Sequence, residues 1–97
     1  MSRKVEIEDI CSFIIRNRWE YEFELTKDTL LVEDLKIWGD DAVDILLAFG
    51  KEFNVDLSKF YADKYFPPES LFFGNQSGYK PITIGDLLKG AREGRLE

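Results

Sequence analysis

Histidine is absent from this 97-residue sequence, and cysteine occurs once, at Cys11. Without an imidazole there is no Ser–His or Cys–His nucleophile and no histidine acid–base pair. Nearly every zinc and blue-copper ligand set is lost as well. A lone thiol forms neither an internal disulfide nor a thiolate cluster. Long hydrophobic runs are missing too, since nothing approaches the roughly 18 residues of a membrane span. Positive charge is in deficit: 13 Lys and Arg face 19 Asp and Glu, for a net charge of −6 and a pI near 4.7. Phosphate backbones repel such a chain, so nucleic acid is not an expected partner. These absences remove most enzyme chemistry. The expectation is a protein that is not an enzyme and holds no metal.

What is present suffices for one small core. Hydrophobic residues make up 44% of the chain and aromatics 14%, too many for a disordered polypeptide. The length suits a single domain over residues 1–97. The opening Met1-Ser2-Arg3-Lys4 leads into acidic residues rather than a hydrophobic signal region, which gives the expectation of a cytoplasmic protein.

The charge is unevenly spread. Residues 1–19 carry a net +1, residues 20–57 a net −8, and residues 58–97 a net +1. A concentrated negative field steers basic partners and raises their association rate; a solvated face kept acidic for solubility is the alternative.

Periodicity predicts helices with one extended stretch. Ile7, Ile10, Cys11 and Ile14 follow i, i+3, i+4, i+7, one buried stripe of a helix over about 4–18, with Phe13 and Ile15 widening it. Cys11 on that stripe reads as a small buried hydrophobe. Trp19 to Leu25 alternates apolar and acidic residues, the period of an extended segment. Its aromatic side is expected to pin it to the helices. Leu30, Leu31, Val32 and Leu35 plug a loop that runs to Gly39. Asp40 or Asp41 is expected to cap a second helix ending near Phe53-Asn54, with Asn54 as a left-handed cap. Ala42, Ile45, Leu46, Phe49 and Phe53 form its core stripe. Val43 and Leu47 form a second stripe with no obvious internal partner.

A short third helix is expected from Asp56 or Ser58 to about Tyr65, stopped by Pro67-Pro68. Residues 67–81 read as an excursion anchored by Phe72, Phe73 and Tyr79. Thr83 and Asp86 form a box-like cap for a last helix from Ile84, whose end beyond Gly94 is expected to fray. The expected core comprises Ile7, Ile10, Ile14, Leu35, Ile45, Leu46, Phe49, Phe53, Leu57, Leu87 and Leu88.

One block carries a family resemblance. Glu33-Asp34-Leu35, Val43-Asp44-Ile45 and Lys51-Glu52-Phe53 match without a gap the core of acyl carrier proteins, which have an acid-Asp-Leu-Gly loop, then Asp-Ser-Leu, then an acidic helix closing in Glu-Phe. Gly39-Asp40-Asp41-Ala42, Tyr65-Phe66-Pro67-Pro68-Glu69 and Pro81-Ile82-Thr83-Ile84-Gly85-Asp86-Leu87 resemble a bacterial acyl-carrier-like family catalogued as a domain of unknown function. The resemblance implies an all-α, acyl-carrier-like bundle: three longer helices, one short helix, and an elaborated loop before the last.

The departure from the carrier pattern concerns the attachment site. The serine that takes phosphopantetheine falls at Gly39 in this register. No Ser, Thr or Tyr occurs between Leu31 and Leu57, so no shift of register restores it. Asp40 and Asp41 would also repel a phosphate at the helix end, where a carrier needs it bound. Phosphopantetheine, and with it any cofactor, is therefore not expected.

Two functions follow as expectations. One is a non-catalytic, unmodified interaction module that docks Trp38, Asp40, Asp41, Val43, Asp44 and Leu47 onto a basic partner surface. The other is a genuine acyl or prosthetic-group carrier, or a ligand-binding protein, of fatty-acid or polyketide type metabolism. Asp40 and Asp41 could alternatively ligate a hard cation, but EF-hand spacing is absent and helix capping is favoured. Trp38 reads equally as a partner anchor or as a loop plug.

Overall fold

A computed structural model describes residues 4–61, 64–65 and 80–96 of the chain. Among these residues the architecture is all-α, with three helices and no strand beyond two isolated β-bridges. Helix α1 spans Ile7–Asn17, α2 Gly39–Phe53 and α3 Ile84–Glu93. Helix α1 packs against both of the others.

The apolar stripe of α1 is centred on Ile10, Phe13 and Ile14, all fully buried. Its first turn is closed by Asp9, whose Oδ2 accepts from the Glu6 backbone N–H at 2.9 Å. Ile7 and Cys11 are half-buried at the edge of the stripe. Burial, and then the carboxylates of Glu8 and Glu24, push the Cys11 thiol up from its ordinary value, away from the reactive thiolate.

The segment between α1 and α2 is a series of turns held by side chains. Thr29 Oγ1 accepts from the Thr26 N–H at 2.9 Å, and Asp34 Oδ2 accepts from the Leu30 N–H at 2.8 Å. Leu31, Leu35 and Ile37 from this loop are fully or almost fully buried. Its backbone also pairs with the entry to α3, Leu31 N–H to Ile82 O at 2.9 Å and Ile84 N–H to Thr29 O at 3.0 Å. The extended stretch is only partly pinned. Tyr21 and Leu25 are half-buried against the core, whereas Trp19 and Phe23 face solvent. The chain bends at Glu22–Phe23, and the bend breaks the alternation that would have put all four on one side.

Helix α2 buries Ala42, Ile45, Leu46 and Phe49 of the expected stripe, while Phe53 at its end is half-buried. Phe13, Phe49 and Phe53 form a closed triangle of rings with centres 5.4–6.0 Å apart. The helix ends at Asn54 with φ 53°, the left-handed cap. Gly50 sits where the chain passes close on its return: a Cβ there would lie 2.9 Å from Leu57 Cδ1 and 3.2 Å from Val55 O.

Among the described residues no α-helix follows α2 before α3: residues 54–61 hold turns and Lys64 is in a 3₁₀ conformation. Asp56, an expected start of the short helix, is paired elsewhere: its N–H donates to Gly94 O at 2.9 Å and its C=O accepts from the Leu96 N–H at 3.0 Å. An Asp56 C=O committed to a distant segment cannot accept a first intrahelical bond, so the helix does not start at Asp56. The Asp56 carboxylate instead closes a local turn, accepting from the Ser58 N–H at 2.9 Å, which holds its carboxyl below the ordinary range. The same pairing corrects the expected fraying at the C-terminus, since Arg95 is bridged to Asp56 and Leu96 is buried.

Helix α3 opens on the expected capping box. Thr83 Oγ1 accepts from the Asp86 N–H at 3.2 Å, and Asp86 Oδ2 accepts from the Thr83 N–H at 2.9 Å. Leu87 and Ala91 are buried and Leu88 is half-buried. Most of the expected excursion, with Phe72, Phe73 and Tyr79, lies outside the described residues.

Candidate functional site

The start of α2 is where the expected site residues meet. The cap position belongs to Trp38, not to Asp40 or Asp41, and no side-chain hydrogen bond closes it. The helix begins at Gly39, which takes φ 60°, so the chain enters it two residues before an Asp40 cap would start it. Asp40 and Asp41 thus lie inside the first turn, where their charge meets the positive end of the helix dipole. Trp38 is half-buried, between the two roles open to it.

Along the outer face of α2, Val43 is 50% exposed and Leu47 63%. They are one turn apart and therefore neighbours. Asp40, Asp41 and Asp44 are exposed around them. The result is a small aliphatic centre beside three carboxylates.

Arg18 is a member of this site that sequence reasoning missed as such. Its Nη1 lies 3.6 Å from Asp41 Oδ2, and its side chain is only 8% exposed. Its Nε donates to Tyr21 Oη at 2.7 Å, and the tyrosine hydroxyl donates on to Leu35 O at 3.1 Å. The charge therefore ties the end of α1, the following loop and the first turn of α2 into one unit. A hollow of about 140 Å³ opens beside it, lined by Asn17, Arg18, Asp41, Asp44 and Ile45. The signal in the sequence was a basic residue at a helix end, which read only as a complement to the dipole. A second tie lies further along, where Arg16 grips Glu52 with both ends of its guanidinium, at 3.2 and 2.5 Å.

With this geometry in place, comparison with known proteins places the chain. The model of a family described as "Protein of unknown function (DUF1493)" matches residues 6–96. The chain belongs to that family. This DUF1493 member is also 35% identical over 51 residues to a protein of Buchnera aphidicola subsp. Baizongia pistaciae (strain Bp) named "Acyl carrier protein". That alignment covers 53% of this chain and 65% of the relative, less than two thirds of its length. No solved structure gives a significant match.

Gly39, which the resemblance aligns with the carrier serine, offers no hydroxyl, and its backbone is left-handed at φ 60°. A non-glycine residue there costs about 1–2 kcal/mol. Gly39→Ser is accordingly expected to lower stability by roughly that amount. It is expected to remain unmodified when co-expressed with a broad-specificity phosphopantetheinyl transferase. Intact-mass spectrometry and a thermal melt check both points. A fully modified, undiminished Gly39→Ser protein would show that the turn tolerates the carrier serine.

Among the described residues, no group of three or more acidic or thiol side chains is placed to hold a metal ion. None of the described helices is long and apolar enough to cross a membrane.

Proposed function

We propose that this protein is a non-catalytic, carrier-shaped docking module of the bacterial cytoplasm, which presents the first turn and outer face of α2 to a basic surface on a partner protein. The observation that carries the reading is the pair Val43 and Leu47, left exposed on a helix whose other apolar side chains are buried or half-buried, and flanked by Asp40, Asp41 and Asp44. The negative field of residues 20–57, net −8, would steer a basic partner in. The two aliphatic side chains would set how long it stays. Absence of a hydroxyl at Gly39, with two carboxylates directly after it, supports a module that carries no phosphopantetheine. The lack of histidine supports a role without catalysis.

A second reading has one observation in its favour, the 51-residue match to a protein named acyl carrier protein. It makes this chain a carrier of an acyl or prosthetic group attached elsewhere. An added prosthetic-group mass on the wild-type protein, at any residue, would decide for it.

The test of the docking reading combines capture, titration and a melt. Pull-down with wild type and with Leu47→Asp identifies a basic partner by its loss from the variant, and titration of that purified partner follows. Leu47→Asp is expected to abolish binding while leaving the melting temperature within a few degrees of wild type. Leu47→Ala should raise Kd about ten-fold, equivalent to ~1.4 kcal/mol, through faster dissociation and with weak salt dependence. Asp40→Asn or Asp44→Asn should weaken binding by about two- to five-fold, mainly through association, and less at high salt. A collapsed melting curve for Leu47→Asp would make that residue ordinary core and remove the centre of the site.

A further inference from the structure

We propose that the strip Trp19–Glu24 is a second recognition element, one that takes an arginine-bearing segment of the basic partner alongside the first turn of α2. The proposal rests on the docking reading for the partner's basic character but on separate residues for its own chemistry. Trp19 is 54% exposed and Phe23 46%. Half-buried Tyr21 lies between them, with ring centres at 5.4 Å from Trp19 and 5.5 Å from Phe23, tilted by 43° and 46°. The three rings pack against one another in a row rather than standing as scattered surface aromatics, with the Arg18 guanidinium over one face of Trp19. Glu20, Glu22 and Glu24 are all exposed along the same six residues, which contain no cation.

Rings interleaved with carboxylates suit a guanidinium better than any other common side chain. It is planar and weakly hydrated, and it stacks on an aromatic face while its edge donates to a carboxylate. The fold already performs this recognition once. The Arg18 guanidinium sits 4.3 Å from the Trp19 ring centre. The same group lies 3.6 Å from the Asp41 carboxylate, so the strip abuts the first turn of α2 and the two patches form one surface. Because Arg18 is nearly buried and pairs with Asp41, its charge belongs to the wall and leaves the strip net acidic. Exposed aromatics, moreover, are costly to leave in water and are typical anchors of protein interfaces.

The probe is a seven-residue peptide of alternating glycine and arginine, set beside its lysine counterpart. Each is titrated into the isotope-labelled full chain while backbone amide shifts are followed. The arginine peptide is expected to shift residues 19–24 and to bind several-fold more tightly than the lysine peptide. Trp19→Ala, and independently Phe23→Ala, should weaken the arginine peptide about two- to five-fold and narrow the gap to lysine, with the melting temperature near wild type. Equal affinity for the two peptides, or unchanged affinity in both variants, would overturn the proposal. Shifts confined to residues 40–47 would also overturn it, while leaving the α2 reading intact. Concentration-dependent shifts at 19–24 without peptide would assign the strip to a second copy of the chain, again against the proposal. Conversely, if the strip responds as expected but Leu47→Asp still captures the partner, the α2 reading fails and the strip stands.

Discussion

Phe49→Ala is expected to lower the free energy of unfolding by about 3–5 kcal/mol, read by urea denaturation. Phe49 is 1% exposed and meets both Phe13 and Phe53 in the ring triangle. Truncation removes the transfer energy of a whole ring and leaves a cavity. It also forfeits two edge or tilted aromatic contacts, each contributing about 0.5–1.5 kcal/mol. A domain of this size has roughly 5–15 kcal/mol in total, so the loss would drop the melting temperature by more than about 10 °C. Leu47→Ala, two residues away on the outer face, should change stability by no more than about 0.5 kcal/mol. The contrast is the informative quantity, because both substitutions leave the same alanine in the same helix. Similar costs at the two positions would mean that the inner and outer faces of α2 are misassigned.

That contrast was legible in the sequence because helical periodicity reports burial directly. The stripe through Ala42, Ile45, Leu46 and Phe49 and the separate pair Val43 and Leu47 differ only in phase, and the structure keeps both apart. The Thr83–Asp86 capping box was equally legible, since both partners lie three residues apart and need no distant information. Features set by long-range pairing were not. Asp56, one of the two expected starts of a short helix, opens none because Gly94 and Leu96, about forty residues away, take its backbone groups. Ile37, Val55, Ile82 and Leu96 join the core from short segments that have no period to read. Phe13 counted only as a flank of the α1 stripe, yet it is fully buried and carries two edges of the aromatic triangle.

The site divides along the same line. Its carboxylates and exposed aliphatics follow from helix phase. The shift of the cap from aspartate to Trp38 depends on a left-handed glycine, and a residue name does not reveal the φ it adopts. Arg18 entered the site only through a turn that brings the end of α1 to the start of α2. Exposure of Trp19 and Phe23 depends on a bend that alternation alone does not announce.

The second large effect expected is at the C-terminal end, where composition alone suggested a loose tail. Leu96 is 6% exposed, and a Cβ built on Gly90 would stand 2.9 Å from Leu96 Cδ1 and 3.3 Å from Arg95 O. Glycine on the buried face of α3 is thus what lets the tail fold back over the helix. Leu96→Ala should cost about 2–5 kcal/mol through the cavity it opens. Gly90→Ala raises helix propensity by roughly 1 kcal/mol, but overpacking should offset this by about 1–3 kcal/mol, because the methyl meets the end of the Leu96 side chain and the Arg95 carbonyl. In the double variant the added methyl enters the space that the leucine leaves, so its cost should fall short of the sum of the single costs by about 1 kcal/mol or more. The cycle is measured by denaturant unfolding of all four proteins. Strict additivity would show that Gly90 and Leu96 do not meet, and that the tail is held only by its backbone pairing with Asp56.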